Sequence, residues 1–132
     1  MTTRHRLALL LSVLLPAIAF AAPADISRAG LKALQAAGEP LVIVDVRSAA
    51  EFAQGHVPGA VNIPHDEIGQ RARELEAYRA GGNIVLYCRS GRRVGVAAQA
   101  LEARGFGRLL HLEGDMPGWA QAGEPVTPCT TC

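Results

Sequence analysis

Three short apolar runs, each too short for a buried helix, are separated by segments whose apolar residues recur at helical spacing. Leu41-Val42-Ile43-Val44-Asp45-Val46 is a near-continuous apolar run, as expected of a strand covered on both faces. Ile84-Val85-Leu86-Tyr87 and Leu109-Leu110-His111-Leu112 read the same way. Between the last two, Val94, Ala97, Ala98 and Leu101 form one face of a helix ending near Gly105. Strand and helix in alternation specify βαβ units and an α/β fold with a central, mostly parallel sheet and helices on both faces. A chain of 132 residues, about half of them hydrophobic, has room for one such domain.

The remaining elements fit this frame. Ser27 caps a helix reaching about Ala37, with Ile26 and Leu31 spaced as a hydrophobic staple, and Gly38 and Pro40 stop it. Ser48 and Glu51 have capping-box spacing for a short helix to about Gln54. Gly55-His56-Val57-Pro58-Gly59 is turn chemistry, followed by a strand from Ala60 to Ile63. Ile68, Ala72 and Leu75 predict a helix from Asp66 to Arg79, broken by Gly81-Gly82. Gly114 to Ala120 is a loop or short helix, with Trp119 in core or rim packing.

The two ends stand apart from the domain, which the pattern bounds at 22–123. Arg4, His5 and Arg6 precede the apolar run Leu7 to Phe20, and Ala19-Phe20-Ala21 offers a cleavage site. Residues 1–21 therefore read as a signal peptide. A membrane span needs about 20 apolar residues, and Pro16 interrupts this run. The expectation is a periplasmic or otherwise exported protein with no stable membrane association after cleavage. Loss of Arg4 and Arg6 leaves 11 basic side chains against 12 acidic ones, a balance that does not suit a nucleic-acid partner. Residues 124–132, rich in Pro and Thr, read as a loose tail ending in a Cys-x-x-Cys pair, Cys129 and Cys132.

Of three cysteines, Cys129 and Cys132 form a natural disulfide or resolving pair, and Cys88 is the odd thiol. Cys88 sits where a parallel strand ends and a helix follows, the edge at which open α/β sheets bind ligands. The intervening Arg89-Ser90-Gly91-Arg92-Arg93 can form a tight turn whose amides converge on one point. Arginines and a helix N-terminus add positive potential, an environment that favours a thiolate and receives an anion.

Taken in order, Asp45-Val46-Arg47, then Gly55-His56-Val57-Pro58-Gly59-Ala60 with Asn62-Ile63-Pro64, then Tyr87-Cys88-Arg89-Ser90-Gly91-Arg92-Arg93 resemble the rhodanese family over nearly all of the mature chain. A single such domain behind a signal peptide is similar to small periplasmic thiosulfate sulfurtransferases. The resemblance implies that Cys88 is the catalytic nucleophile and that it takes a sulfane sulfur from a small donor such as thiosulfate. The sulfur then passes to cyanide or a thiol by ping-pong covalent catalysis. It further implies that Arg89, Ser90, Gly91, Arg92 and Arg93 bind substrate, with no cofactor and no metal.

Asp45 is expected to hold the neighbouring turn by binding amides, Arg47 to join the positive rim or pair with a carboxylate, and His56 to position scaffold. His65 and His111 lack ligand spacing with the cysteines and read as surface or scaffold residues. Two other functions compete. A cysteine phosphatase or arsenate reductase would place arginine six residues after the cysteine, but that position is Val94, and Arg93 makes the loop one residue shorter. A non-enzymatic persulfide carrier or redox partner would give the Cys129–Cys132 tail a part in receiving sulfur or resolving the persulfide.

Overall fold

The computed structural model describes residues 12–17 and 19–132. Most of the signal-peptide segment predicted at 1–21 lies outside them. Among the described residues, no helix is long and apolar enough to cross a membrane.

Five strands form one parallel sheet: β1 (Ala24–Ile26), β2 (Leu41–Asp45), β3 (Val61–Asn62), β4 (Asn83–Tyr87) and β5 (Leu109–Leu112). Their spatial order is β1-β5-β4-β2-β3. Among the described residues, four α-helices cover it: α1 (Arg28–Ala36), α2 (Ala49–Gln54), α3 (Arg92–Glu102) and α4 (Asp115–Gln121). Period-two alternation sorts the strand side chains to two cores. Val44, Val46, Ile84, Leu86, Cys88 and Leu109 pack with Ala97, Ala98 and Leu101 of α3 on one face. Ile43, Val85, Tyr87 and Leu112 pack with Leu31, Phe52 and Trp119 of α1, α2 and α4 on the other. The expected α/β fold with helices on both faces is what these residues build.

Local signals account for the helix starts. The Ser27 hydroxyl accepts the Gly30 N–H, and Ile26 and Leu31 enter the same core. Ser48 and Glu51 form the complete reciprocal capping box ahead of α2.

Four expectations need correction. No strand was predicted at 24–26, because three residues are too few for a periodic signal; β1 exists because its backbone pairs with the exposed edge of β5. Residues 66–79 do not form an α-helix but turns followed by a 3₁₀ helix, Ala72–Tyr78. Ile68, Ala72 and Leu75 are buried as predicted. However, Gly69 lies mid-segment against the Arg104 guanidinium, and i→i−3 bonds such as Glu74 N–H to Arg71 O tighten the winding. The strand predicted at 60–63 contracts to two residues at the sheet edge.

The tail, finally, is docked. Thr127 and His56 exchange backbone hydrogen bonds at 2.9 and 3.0 Å, Cys129 N–H donates to Ala53 O, and Trp119 Nε1–H donates to Pro125 O at 2.7 Å. Donors and acceptors left over at the C-terminal end of α2 explain why the chain settles there.

Candidate active site

β4 ends on Tyr87, directly before Cys88, and α3 begins only four residues after the cysteine, at Arg92. The turn between them is therefore shorter than the predicted five-residue loop, and Arg92 and Arg93 form the first turn of the helix. Gly91 makes this possible. Its φ of +83° is a left-handed conformation that side-chain residues avoid, and an added Cβ would lie 3.2 Å from His111 Cε1. Held this way, the Gly91 N–H donates to Cys88 Sγ at 3.0 Å. The thiol sits at the base of the turn, fully buried against the α3 face, and is the free cysteine of the described residues.

The arginines divide into two kinds. Arg89 and Arg92 are exposed and bond to no carboxylate among the described residues. Arg93 instead reaches across to α2 and donates twice to Glu51, at 2.7 and 3.0 Å. The Arg93 hydrogen bond, reinforced by Ser48 donors, holds the Glu51 carboxyl down at about 2. The positive charge of Arg93 is thus already compensated, which the expectation that the turn's arginines all add positive potential did not anticipate. Two depressions flank the turn. One, of about 280 Å³, is lined by Arg47, Glu51, Gln54, Arg89 and Met116. The other, of about 500 Å³, is lined by His65, Ser90, Arg92, Arg93 and Val96.

The supporting residues sit beneath. Asp45 is fully buried and accepts the Arg47 N–H at 2.9 Å as well as the Arg47 guanidinium at 2.6 Å, so it holds the turn as expected. Of the two roles anticipated for Arg47, the structure shows the carboxylate pair, with Asp45; the side chain also lines the smaller depression. Its burial opposes the charge, but the bond to Asp45 together with the nearby charges of Asp45, Tyr87 and Glu51 outweighs this, and the guanidinium titrates above its ordinary value. His56 is scaffold: its ring stacks on Phe52 at 3.7 Å and Nδ1 lies 3.0 Å from Phe52 O. Tyr87, buried beside Asp45, accepts the Val57 N–H at its hydroxyl and titrates well above an ordinary tyrosine.

Cys129 and Cys132 are joined as a disulfide. Cys129 packs against the core that contains Tyr87 and Trp119, on the sheet face opposite the core that contains Cys88. The structure does not bring the pair to the thiol.

One group near Cys88 escaped the sequence reading. Asp115 Oδ1 accepts the Cys88 N–H at 2.8 Å, and Asp115 Oδ2 lies 3.0 Å from His111 Nε2. Nothing in the spacing links residues 27 apart. The sole hint was a charged side chain following Gly114 just past an apolar strand.

A buried cysteine at the carboxyl end of a parallel strand, receiving an amide from a glycine turn and rimmed by exposed arginines, defines an α/β protein built around one buried thiol. The match to a family model, Rhodanese-like domain, runs over residues 27–122. The chain belongs to the rhodanese family. A sulfurtransferase from Allochromatium vinosum is 40% identical over 88 residues, covering 67% of this chain and 79% of that protein. A crystal structure of thiosulfate sulfurtransferase from Pseudomonas aeruginosa superposes with a TM-score of 0.73 at 27% identity, over 80% of this chain and 20% of that one. The crystal structure of Alr3790 from Anabaena gives a TM-score of 0.70 at 25% identity, over 80% of this chain and 94% of that one. The chain spans half or less of the length of several other curated relatives. Family and relatives together assign the protein to sulfur transfer.

Proposed function

We propose that the protein is a thiosulfate sulfurtransferase in which Cys88 carries the sulfur as a persulfide. The Cys88 thiolate attacks the outer sulfur of thiosulfate and forms a new S–S bond. The bond to the sulfonate sulfur breaks, and its electron pair leaves with sulfite. A thiolate or cyanide then attacks the outer sulfur of the persulfide and returns Cys88 to the thiolate, releasing a new persulfide or thiocyanate. Charge is balanced in each half, so neither needs a redox partner or an obligatory proton shuttle.

The observation that carries this reading is the Gly91 N–H on Cys88 Sγ. It places a main-chain donor where negative charge resides on sulfur before and after transfer. Arg89 and Arg92, without carboxylate partners, supply the field that attracts a dianion. A phosphatase is disfavoured, because Arg93 is engaged by Glu51 and the turn is one residue short of a phosphate loop. We further propose that the mature protein works after export, with residues 1–21 removed; amino-terminal sequencing of the protein recovered from the cell envelope tests this.

Intact-mass analysis after thiosulfate treatment tests the chemistry. The expected result is a gain of one sulfur atom, mapped to Cys88 and removed by cyanide with thiocyanate formed over many turnovers. Loading without turnover would identify a sulfur carrier instead, and no loading at all would overturn the proposal.

A further inference from the structure

Asp115 is the one residue other than glycine with a left-handed backbone among those described, at φ +53°. Glycine would adopt that conformation freely, whereas a side chain resists it. The carboxylate is buried, where a charge is costly unless it is paired. A residue that is unfavourable on both counts is held by what its side chain does.

Its two oxygens do different things. Oδ1 accepts the Cys88 N–H at 2.8 Å, and the neighbouring Met116 N–H donates to Cys88 O at 3.0 Å. Both polar groups of the Cys88 backbone are therefore held by the start of α4. Oδ2 faces His111 Nε2 at 3.0 Å, and His111 Nδ1 faces Asp25 Oδ1 at 2.9 Å. Each ring nitrogen of His111 thus faces a carboxylate oxygen, one from β1 and one from α4. The array runs from β1 through β5 and α4 to the end of β4. The His111 ring also borders Gly91, whose amide meets the sulfur.

We infer that Asp115 is a positioning residue for sulfur transfer, fixing the Cys88 peptide so that Sγ stands under the Gly91 amide, with His111 and Asp25 orienting its carboxylate. This rests on the reading of Cys88 as the sulfur-carrying thiol. Asp115 bonds to the Cys88 peptide and not to its sulfur, so it acts on the rate of transfer and not on capture of the donor.

The test uses the full chain and two variants, Asp115→Gly and Asp115→Asn. Glycine suits the left-handed backbone but removes the acceptor; asparagine keeps an oxygen for the Cys88 N–H. Loading of Cys88 at saturating thiosulfate should fall about tenfold in Asp115→Gly, the loss expected of one charge-assisted hydrogen bond. Half-saturation should stay near that of the unaltered chain, and Asp115→Asn should recover most of the rate. Hydrogen exchange at the Cys88 amide is read in parallel. It should be slow in the unaltered chain and in Asp115→Asn, and about tenfold faster in Asp115→Gly.

A folded Asp115→Gly protein with unchanged loading and exchange would overturn the inference. So would a rapidly exchanging Cys88 amide in the unaltered chain, whatever the variants do. An unaltered chain that takes up no sulfur would sink the sulfurtransferase reading, while amide exchange would still decide the positioning.

Discussion

Cys88 and Gly91 form the contact at the centre of the site, the amide of the glycine donating to the sulfur of the cysteine. Cys88→Ser should keep the fold and abolish sulfur uptake, since serine fills nearly the same buried volume but offers no thiolate; mass analysis and circular dichroism read the two outcomes. Gly91→Ala should lose stability by about 1–2 kcal/mol from the left-handed backbone alone, before the contact with His111 is counted. Its denaturant midpoint should fall accordingly. Glu51 links residue chemistry to pH. Its folded titration near 2 lies below the ordinary 4.5, so its contribution is fully present above about 4.5 and is lost as pH falls toward 2. Acid unfolding of Glu51→Gln should lack that part of the slope. The same substitution releases Arg93 and should tighten thiosulfate half-saturation, whereas Arg92→Ala should weaken it by about 1–3 kcal/mol per charge-assisted bond lost.

At the scale of elements, the site stands between the starts of three helices. α3 begins at the turn, α4 holds the Cys88 backbone, and α2 presents Glu51 to Arg93. The Ser48–Glu51 capping box therefore stabilises α2 and also aims the carboxylate that restrains Arg93. Ser48→Ala should cost about 1 kcal/mol of stability, the usual worth of such a cap, measured by urea unfolding. The starts of α1 and α2 were legible because caps are local: Ser27 and Ser48 act on residues three positions ahead. The segment at 66–79 was not legible to the same degree. Its apolar spacing reported burial correctly, but α and 3₁₀ windings bury Ile68, Ala72 and Leu75 alike, and spacing cannot separate them.

In the whole molecule, the sheet divides the chemistry from the tail. Cys88 packs with α3 on one face, while the Cys129–Cys132 disulfide closes the tail that docks on α2 and His56 and packs with the opposite core. A chain ending at Pro128 should load and release sulfur at the rate of the full chain yet melt at a lower temperature, because the Cys129 N–H bond to Ala53 O and its packing are lost. A slower transfer in that truncated chain would restore the tail to the reaction.

The parallel α/β plan, the strand that delivers Cys88 and the turn glycine that follows it were all determined by the order of residues. Each depends on side-chain period or on conformational limits within a few neighbours. Only the tertiary structure decided that β1 pairs with β5, that Arg93 answers to Glu51, and that Asp25, His111 and Asp115 converge behind the cysteine. Apart from the His111–Asp115 pair, four positions apart, those contacts join residues from 27 to 86 positions apart. Their energies are set by burial and charge pairing after the chain has closed, and no local pattern encodes them.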